Sequence, residues 1–285
     1  MVSFVISAVI NTLNEENNIR FCLECLRWCD EIVVVDMCSQ DNTVKIAQEF
    51  TDKIFRHERT LYFDTARSFA IQMAQFEWIL MVDADELIPS KLSKTLKNIE
   101  KENKADVVQI PRKNYIMGSW IRHTGWWPDY QERFFRKNKM RIDSRLHAYL
   151  KPTGRILKLN PTEDNAIIHL NYYDSTHFID KLNRYTYIEA KQMHENKFVF
   201  RWVLLFKSVM KEFLIRFIKH QGYRDGFRGF ALLILMIFYR MVSFIKLWEI
   251  AEYTKKGFPQ EIYKNIQESI AKEWLDTNKQ KEGSN

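Results

Sequence analysis

The chain has 285 residues, 46% of them hydrophobic, 14% aromatic and 28% charged, which excludes a disordered or low-complexity polypeptide and leaves ample material for a core. Its formal charge of +7 is local: residues 197–256 hold twelve Lys/Arg against four Asp/Glu, and the rest is near neutral. Cys22, Cys25, Cys29 and Cys38 fall within one short stretch with no second pair or histidine nearby, so they read as reduced, partly buried thiols in a reducing compartment. The N-terminus lacks the basic region and small-residue cleavage site of a signal peptide.

The first 110 residues alternate between strand and helix patterns. Val2–Ile10 is β-branched and apolar, and Thr12-Leu13-Asn14-Glu15 then has the form of a capping box before a helix whose apolar face carries Ile19, Cys22, Leu23 and Leu26. Ile32–Val35 is short enough only for a buried strand. Asp41–Phe50 reads as a helix, Lys53–Arg56 as a strand, Phe63–Gln75 as a helix and Trp78–Val82 as a strand. A helix starting at Pro89 and a strand at Asp106–Pro111 complete the rhythm. That order predicts an α/β fold with a mostly parallel sheet covered by helices on both faces.

From Tyr115 to Leu170 the pattern is irregular, with Trp, Pro, Gly and Arg among short strand candidates such as Glu132–Arg136 and Ala166–Leu170. Such segments tend to build a pocket on a regular scaffold. Residues 174–196 are polar and helical, and two long helical stretches follow, interrupted around Gly222–Gly229. A catalytic domain over 1–196 and a basic helical region over 197–285 are therefore expected.

Three polar clusters follow three predicted strands: Asn11-Thr12-Leu13-Asn14-Glu15-Glu16, Asp36-Met37-Cys38-Ser39-Gln40-Asp41 and Asp83-Ala84-Asp85-Glu86. In open α/β sheets that edge binds ligands. In extended backbone Asp83 and Asp85 point to one side, where two carboxylates can share a Mg²⁺ or Mn²⁺ ion with substrate phosphates. No P-loop, no G-x-G-x-x-G after the first strand and no glycine-rich cradle is present, so a nucleotide diphosphate held by carboxylates and a metal remains.

TLNEE, VVVDMCSQDNT, ARSFAIQMA and MVDADE together resemble family 2 glycosyltransferases of the GT-A fold. WWPDYQERFFRKN, RLHAYL and IIHLNYYDS resemble the lipopolysaccharide-core β-glucosyltransferase branch, so the likeness runs over about residues 1–250. It implies a Rossmann-like catalytic domain that moves a sugar, with inversion, from a nucleotide-diphosphate donor (UDP-linked by preference) in the presence of Mn²⁺ or Mg²⁺. Carried onto this chain, Thr12, Asn14 and Glu15 line the nucleotide pocket and Asp36 meets the uracil. Asp41 supports that loop, or else caps a helix. Arg67 lies near the phosphates, Asp83 toward the ribose and Asp85 on the metal, with Ala84 between them; Asp83 is the second metal candidate.

Inversion needs a group that takes the acceptor's proton. Asp129 is the first candidate, with Gln131 and Arg133 placed to position phosphate or acceptor. Glu132 is the second, although strand alternation points it away from Gln131 and Arg133. His147 is a further active-site candidate, followed by Ala148 where the resembled branch has glutamate, and His169 ranks behind it.

In the basic region Trp202, Phe206, Val209, Met210, Phe213 and Phe217 share one helical face, with Arg201, Lys207, Lys211 and Arg216 on the other half. The apolar run Phe230–Tyr239, ended by Arg240, is too short to span a bilayer. A cytoplasmic enzyme lying on the anionic inner face of the cell membrane, acting on a glycolipid or oligosaccharide acceptor, is expected. Packing of these helices as ordinary core is the alternative reading. Cations set opposite the aromatics argue against nucleic acid. A protein or soluble polysaccharide acceptor, or a non-catalytic interaction protein on the same scaffold, are the functional alternatives.

Overall fold

A computed structural model describes residues 5–59, 63–142 and 150–282. In chain order its elements begin β1 (Ile6–Thr12), α1 (Ile19–Glu24), β2 (Glu31–Asp36), α2 (Thr43–Ala47), β3 (Ile54–Arg56), α3 (Phe63–Met73), β4 (Trp78–Asp83) and β5 (Glu86–Leu87). Next come α4 (Ser90–Glu102), β6 (Val107–Ile116), β7 (Ser119–Trp120), β8 (Asp129–Arg136), β9 (Met140–Ile142), β10 (Leu150–Pro152), β11 (Ile156–Lys158) and β12 (Ile167–Tyr172). The chain then turns helical: α5 (Ser175–Glu195), α6 (Trp202–Phe213), α7 (Gly226–Lys256) and α8 (Pro259–Glu282).

The main sheet runs β3-β2-β1-β4-β8-β6-β12-β5, with β7 and β11 also on β6. β3, β2, β1 and β4 are parallel. β8 lies antiparallel between β4 and β6, so the sheet is mixed. This reversal puts the start of β8 at the edge where β4 and β6 end.

Side-chain alternation feeds two cores. Ile6, Ala8 and Ile10 of β1, Trp78, Leu80 and Val82 of β4 and Phe134 of β8 pack against α1, α2 and α4 through Leu23, Ala47, Leu92 and Leu96. Val9, Ile79, Met81 and Phe135 face the other way, onto Ala70, Ile71 and Ala74 of α3 and its end. Trp78 and Phe134 stack with ring centroids 4.4 Å apart. Helices therefore cover both faces, as the strand–helix rhythm predicts. All four cysteines are free, and burial pushes the Cys22 thiol well up from its ordinary pKa.

The expected capping box does not form. Thr12 stays in the sheet opposite Asp36, Asn14 takes a left-handed conformation with φ 55°, and α1 begins only at Ile19, its first turn anchored on the Glu15 carbonyl. Sheet pairing holds Thr12 in place, so it cannot also open a helix.

The chain divides into two compact units. One contains residues 1–178 and Ile215–Leu232; the other contains Ile179–Leu214 and the residues from Leu233 onward. The boundary thus falls inside α5, not at 196/197, and the turn between α6 and α7 belongs with the sheet.

In the second unit, α7 turns its polar residues toward α5 and α6. Arg240 bonds Glu189 at 2.7 Å and Glu212 at 2.9 Å, Ser243 Oγ donates to Glu189 at 2.7 Å, and Lys246 Nζ donates to Asn183 Oδ1 at 2.7 Å. Ile234, Phe238, Met241, Ile245 and Trp248 recur at intervals of four and three and are exposed. On α6, Trp202, Val203, Phe206 and Met210 are exposed beside Lys207 and Lys211, while Leu205 is buried.

Among the described residues one helical stretch, Gly222–Lys256, is long and apolar enough to cross a membrane by length and composition. This corrects the judgement that Arg240 leaves the run too short. The helix continues through Arg240, whose charge is paired with two glutamates.

Candidate active site

The polar clusters meet at one sheet edge, because Thr12 pairs with Asp36 across β1 and β2 and Asn11 pairs with Asp83 across β1 and β4. The loop after β1 is tied to the loop after β2. Ser39 Oγ accepts from Asn14 N at 2.9 Å, Asn14 Oδ1 accepts from Gln40 N at 2.8 Å, and Thr43 Oγ1 accepts from Glu15 N at 2.8 Å. Asp41 braces both loops, accepting from Glu16 N at 3.1 Å and from Thr43 N at 3.0 Å. Burial pushes the Asp41 carboxyl up, but these hydrogen bonds outweigh it and leave its pKa below the ordinary value. The Asp36 carboxylate accepts from Ser39 N at 3.1 Å.

Two buried polar atoms at the end of β1, Asn11 Nδ2 and Thr12 Oγ1, have no hydrogen-bond partner among the described residues. A buried donor or hydroxyl left unmade costs about 1–3 kcal/mol. Both atoms lie at the carboxyl edge of the parallel strands, the edge at which open α/β sheets bind ligands.

Asp83 ends β4 and is held between two guanidiniums. Arg67 Nη2, from α3, donates at 2.9 Å, and Arg133, from β8, is almost fully buried against the other oxygen. Burial opposes the charge on Asp83, but Arg133 and Arg67 outweigh it and hold the carboxyl well below the ordinary carboxylate range. Glu86, fully buried, accepts from Arg133 at 2.9 Å, from Arg112 at 3.2 Å and, backward, from Asp83 N at 3.0 Å. Ala84 packs into the core between the two aspartates.

Asp85 looks toward β12, where His169 Nε2 lies 3.6 Å from Asp85 Oδ2. His169 Nδ1 sits 2.6 Å from Asn114 Oδ1. Asn114 is fully buried, and its Nδ2 donates to the Trp126 carbonyl at 2.9 Å and to Asp129 Oδ2 at 3.2 Å. Both of those partners are acceptors, so the amide oxygen must face His169. His169 Nδ1–H therefore donates to Asn114, and Nε2 is the ring nitrogen turned toward Asp85.

Asp129 opens β8. Arg112 reaches Asp129 Oδ2 through Nη2 at 2.6 Å and Nε at 2.8 Å, while Gln131 Nε2 donates to Oδ1 at 2.9 Å. Glu132 lies on the other face of the strand, accepting from Gln109 at 2.8 Å, so the structure does not bring it to Asp129. His147, with the segment RLHAYL, lies outside the described residues.

One unbroken relay of polar contacts thus runs Arg67–Asp83–Arg133–Glu86–Arg112–Asp129–Asn114–His169–Asp85. Of its members, Glu86 carries no role in the family resemblance, and Arg112 and Asn114 belong to none of the sequence motifs. Arg112 and Asn114 stand two apart in β6 and so share one face of the strand, and that spacing is the one signal that could have found them. Among the described residues no three His, Cys, Asp or Glu side chains converge as a complete metal cage. Asp85 and His169 offer one oxygen and one nitrogen, a donor set that fits a divalent ion completed by substrate oxygens.

These features define an α/β protein with paired charges and unpartnered buried polar atoms gathered at the carboxyl edge of its sheet. The model of glycosyl transferase family 2 matches residues 7–164, more than half of the chain, and the chain belongs to that family. It is similar to the lipopolysaccharide core biosynthesis glycosyltransferase LpsC of Rhizobium meliloti, with 25% identity over 251 residues, 86% of this chain and 92% of that protein. An uncharacterized glycosyltransferase of Rickettsia typhi is 26% identical over 282 residues, 91% of this chain and 92% of its own. Among solved structures, Staphylococcus aureus TarS 1-349 in complex with UDP-GlcNAc aligns with a TM-score of 0.47 at 18% identity, covering 89% of this chain and 92% of that one.

Proposed function

We propose that this glycosyltransferase moves a sugar, with inversion, from a UDP-linked donor to a glycolipid acceptor of the lipopolysaccharide-core type at the cytoplasmic face of the cell membrane. The observation that carries the chemistry is the stretch of that relay joining Asp129, through Asn114 and His169, to Asp85. The similarity to LpsC supports the acceptor class.

On this reading Thr12, Asn14, Glu15 and Asp36 receive the nucleoside, and the unpartnered Thr12 Oγ1 and Asn11 Nδ2 find their partners in it. Asp41 stiffens that loop, and Arg67 and Arg133 set the position of Asp83 below the ribose and phosphates. Asp85 and His169 hold a divalent ion, which when bound stabilises the charge that grows on the leaving diphosphate. Asp129 takes the proton of the attacking hydroxyl on Oδ1. Its Oδ2 is engaged by Arg112 and Asn114, while Oδ1 meets only Gln131 among the contacts described above and keeps room for that proton.

The exposed apolar faces of α6 and α7 support a lipid surface as partner, with Lys207 and Lys211 meeting anionic headgroups. The test is a thermal-shift screen of UDP-glucose, UDP-galactose and UDP-GlcNAc with and without Mn²⁺, on the intact chain and on Asp85→Ala. A ligand that binds only the folded state raises the melting temperature. A Mn²⁺-dependent upward shift is expected in the intact chain and none in Asp85→Ala, whose own melting temperature stays unchanged. Equal shifts in both proteins would overturn the assignment of Asp85.

A further inference from the structure

The turn between α6 and α7, grouped with the sheet unit, is clamped onto the loop that leads into Asp129. Asp225, only 7% exposed at its side chain, accepts from Arg122 N at 3.2 Å, His123 N at 2.9 Å and Thr124 Oγ1 at 2.9 Å. His123 Nδ1 adds a contact at 3.1 Å. Arg216 donates to the Thr124 carbonyl at 2.8 Å and sits over Trp126, 5.8 Å from the ring centre. Arg228 donates to the Met117 carbonyl at 3.0 Å. Glycines allow the turn to close: a Cβ on Gly229 would stand 1.9 Å from the Gly222 carbonyl oxygen. Arg216 is therefore not one of the outward cations that helical spacing predicts.

The outer surface of the same turn has a different character. Phe227 is 82% exposed and Tyr223 55%, with Ile218 and Phe230 also exposed. Lys219, Arg224 and Arg228 are exposed among them. Asp225 is the one carboxylate between Ile215 and Leu232, and it faces inward. Aromatic rings mixed with cations, free of exposed negative charge, suit the headgroup level of an anionic bilayer.

We propose that residues 216–230 form a bilayer-contacting tip, with Tyr223 and Phe227 entering the headgroup layer and Asp225 transmitting that contact to the loop 122–126. Asp225 is a positioning residue: it fixes the backbone five to seven residues ahead of Asp129 at the place where a lipid-borne acceptor would arrive. The proposal rests on the membrane reading given above and narrows it to one surface and one coupling.

Sedimentation with vesicles of phosphatidylcholine, with and without phosphatidylglycerol, tests the surface. The double substitution Tyr223→Ser and Phe227→Ser should lower partitioning onto anionic vesicles at least about tenfold, since burial of one large apolar side chain is worth that much or more. The Mn²⁺-dependent melting shift with UDP-glucose should not change. Hydrogen–deuterium exchange tests the coupling: anionic vesicles should slow exchange over residues 117–126 in the intact chain. They should not do so in Asp225→Ala, or in Asp225→Asn if the alanine variant fails to fold, although both still sediment.

Equal sedimentation of the intact chain and the double variant would overturn the tip while leaving a membrane role to α6 and α7. Vesicle binding without any change over 117–126 would overturn the coupling. A concentration-dependent dimer that the double variant dissolves, with no vesicle binding, would assign the patch to a second copy of the chain and overturn the proposal. Loss of the UDP-glucose shift in the intact chain would count against the catalytic reading alone.

Discussion

The sheet edge and the C-terminal helices treat charge and hydrocarbon in opposite ways. At the edge, Arg133, Glu86 and Arg112 are drawn almost out of water and each is matched by opposite charge at hydrogen-bond distance. Along α6 and α7, Arg240 and Glu212 turn inward to one another while Trp202, Phe206, Phe238 and Trp248 face out. Buried charge persists only where it is paired, and a broad exposed apolar face persists only where something other than water will cover it. The first region has the character the proposed charged donor needs, and the second the character the proposed lipid surface needs.

The sharpest way to break the first half of that contrast is Asp129→Asn. Turnover should fall about 10²–10⁴-fold, the usual scale for loss of a general base, with the donor-induced melting shift retained. If Glu132→Gln produces the large loss and Asp129→Asn does not, the two residues exchange roles.

Arg133→Met keeps the apolar stem but leaves Asp83 and Glu86 short of a partner. Breaking a buried pair costs about 3–5 kcal/mol, and the lower end is expected because Arg67 still holds Asp83 and Arg112 still holds Glu86. Urea denaturation would measure it, and a change below about 1 kcal/mol would show that the pairing contributes little.

The second half is sharpened by Lys207→Gln with Lys211→Gln. Each cation near an anionic surface contributes about 1 kcal/mol, so affinity for phosphatidylglycerol vesicles should drop roughly thirtyfold at low salt and less at high salt. Arg216 is left out because it is spent on Thr124. Affinity for neutral vesicles should not move.

The smallest expected effect concerns Glu31, at the opposite end of β2 from Asp36. Burial raises its pKa, but hydrogen bonds from Lys53, Ser7 and Gln75 N more than offset this and leave it below the ordinary glutamate value. A lowered folded-state pKa gives stability that is full above the unfolded value, about pH 4.3, and is lost as pH falls through the folded one. Glu31→Gln should therefore cost about 1.5 kcal/mol at pH 7, and the gap should narrow progressively below pH 4. A gap independent of pH would show that the charge is not what the site uses.

How far the sequence reaches can be judged residue by residue. Period-two and helical patterns are local, so β1, β2, β4, α3 and α4 were legible to within a few residues, and so was the gathering of Thr12, Asp36 and Asp83 at one edge. Family resemblance added the donor class and the place of Arg67. Spacing alone could not pair Asp85 with His169, 84 positions away, nor insert Asn114 between His169 and Asp129, because those meetings depend on strand register and on β8 running backward. Helical spacing puts Arg216 with the outward cations and gives Asp225 no signal at all; both meet the loop at Thr124 only through the tertiary fold. The apolar stripes of α6 and α7 were visible as periodicity, but whether such a stripe is covered is a property of what packs against it. Sequence fixes which side chains share a face, since that is set by the backbone's own repeat; only tertiary structure decides what each face meets, since that is set by residues far away along the chain.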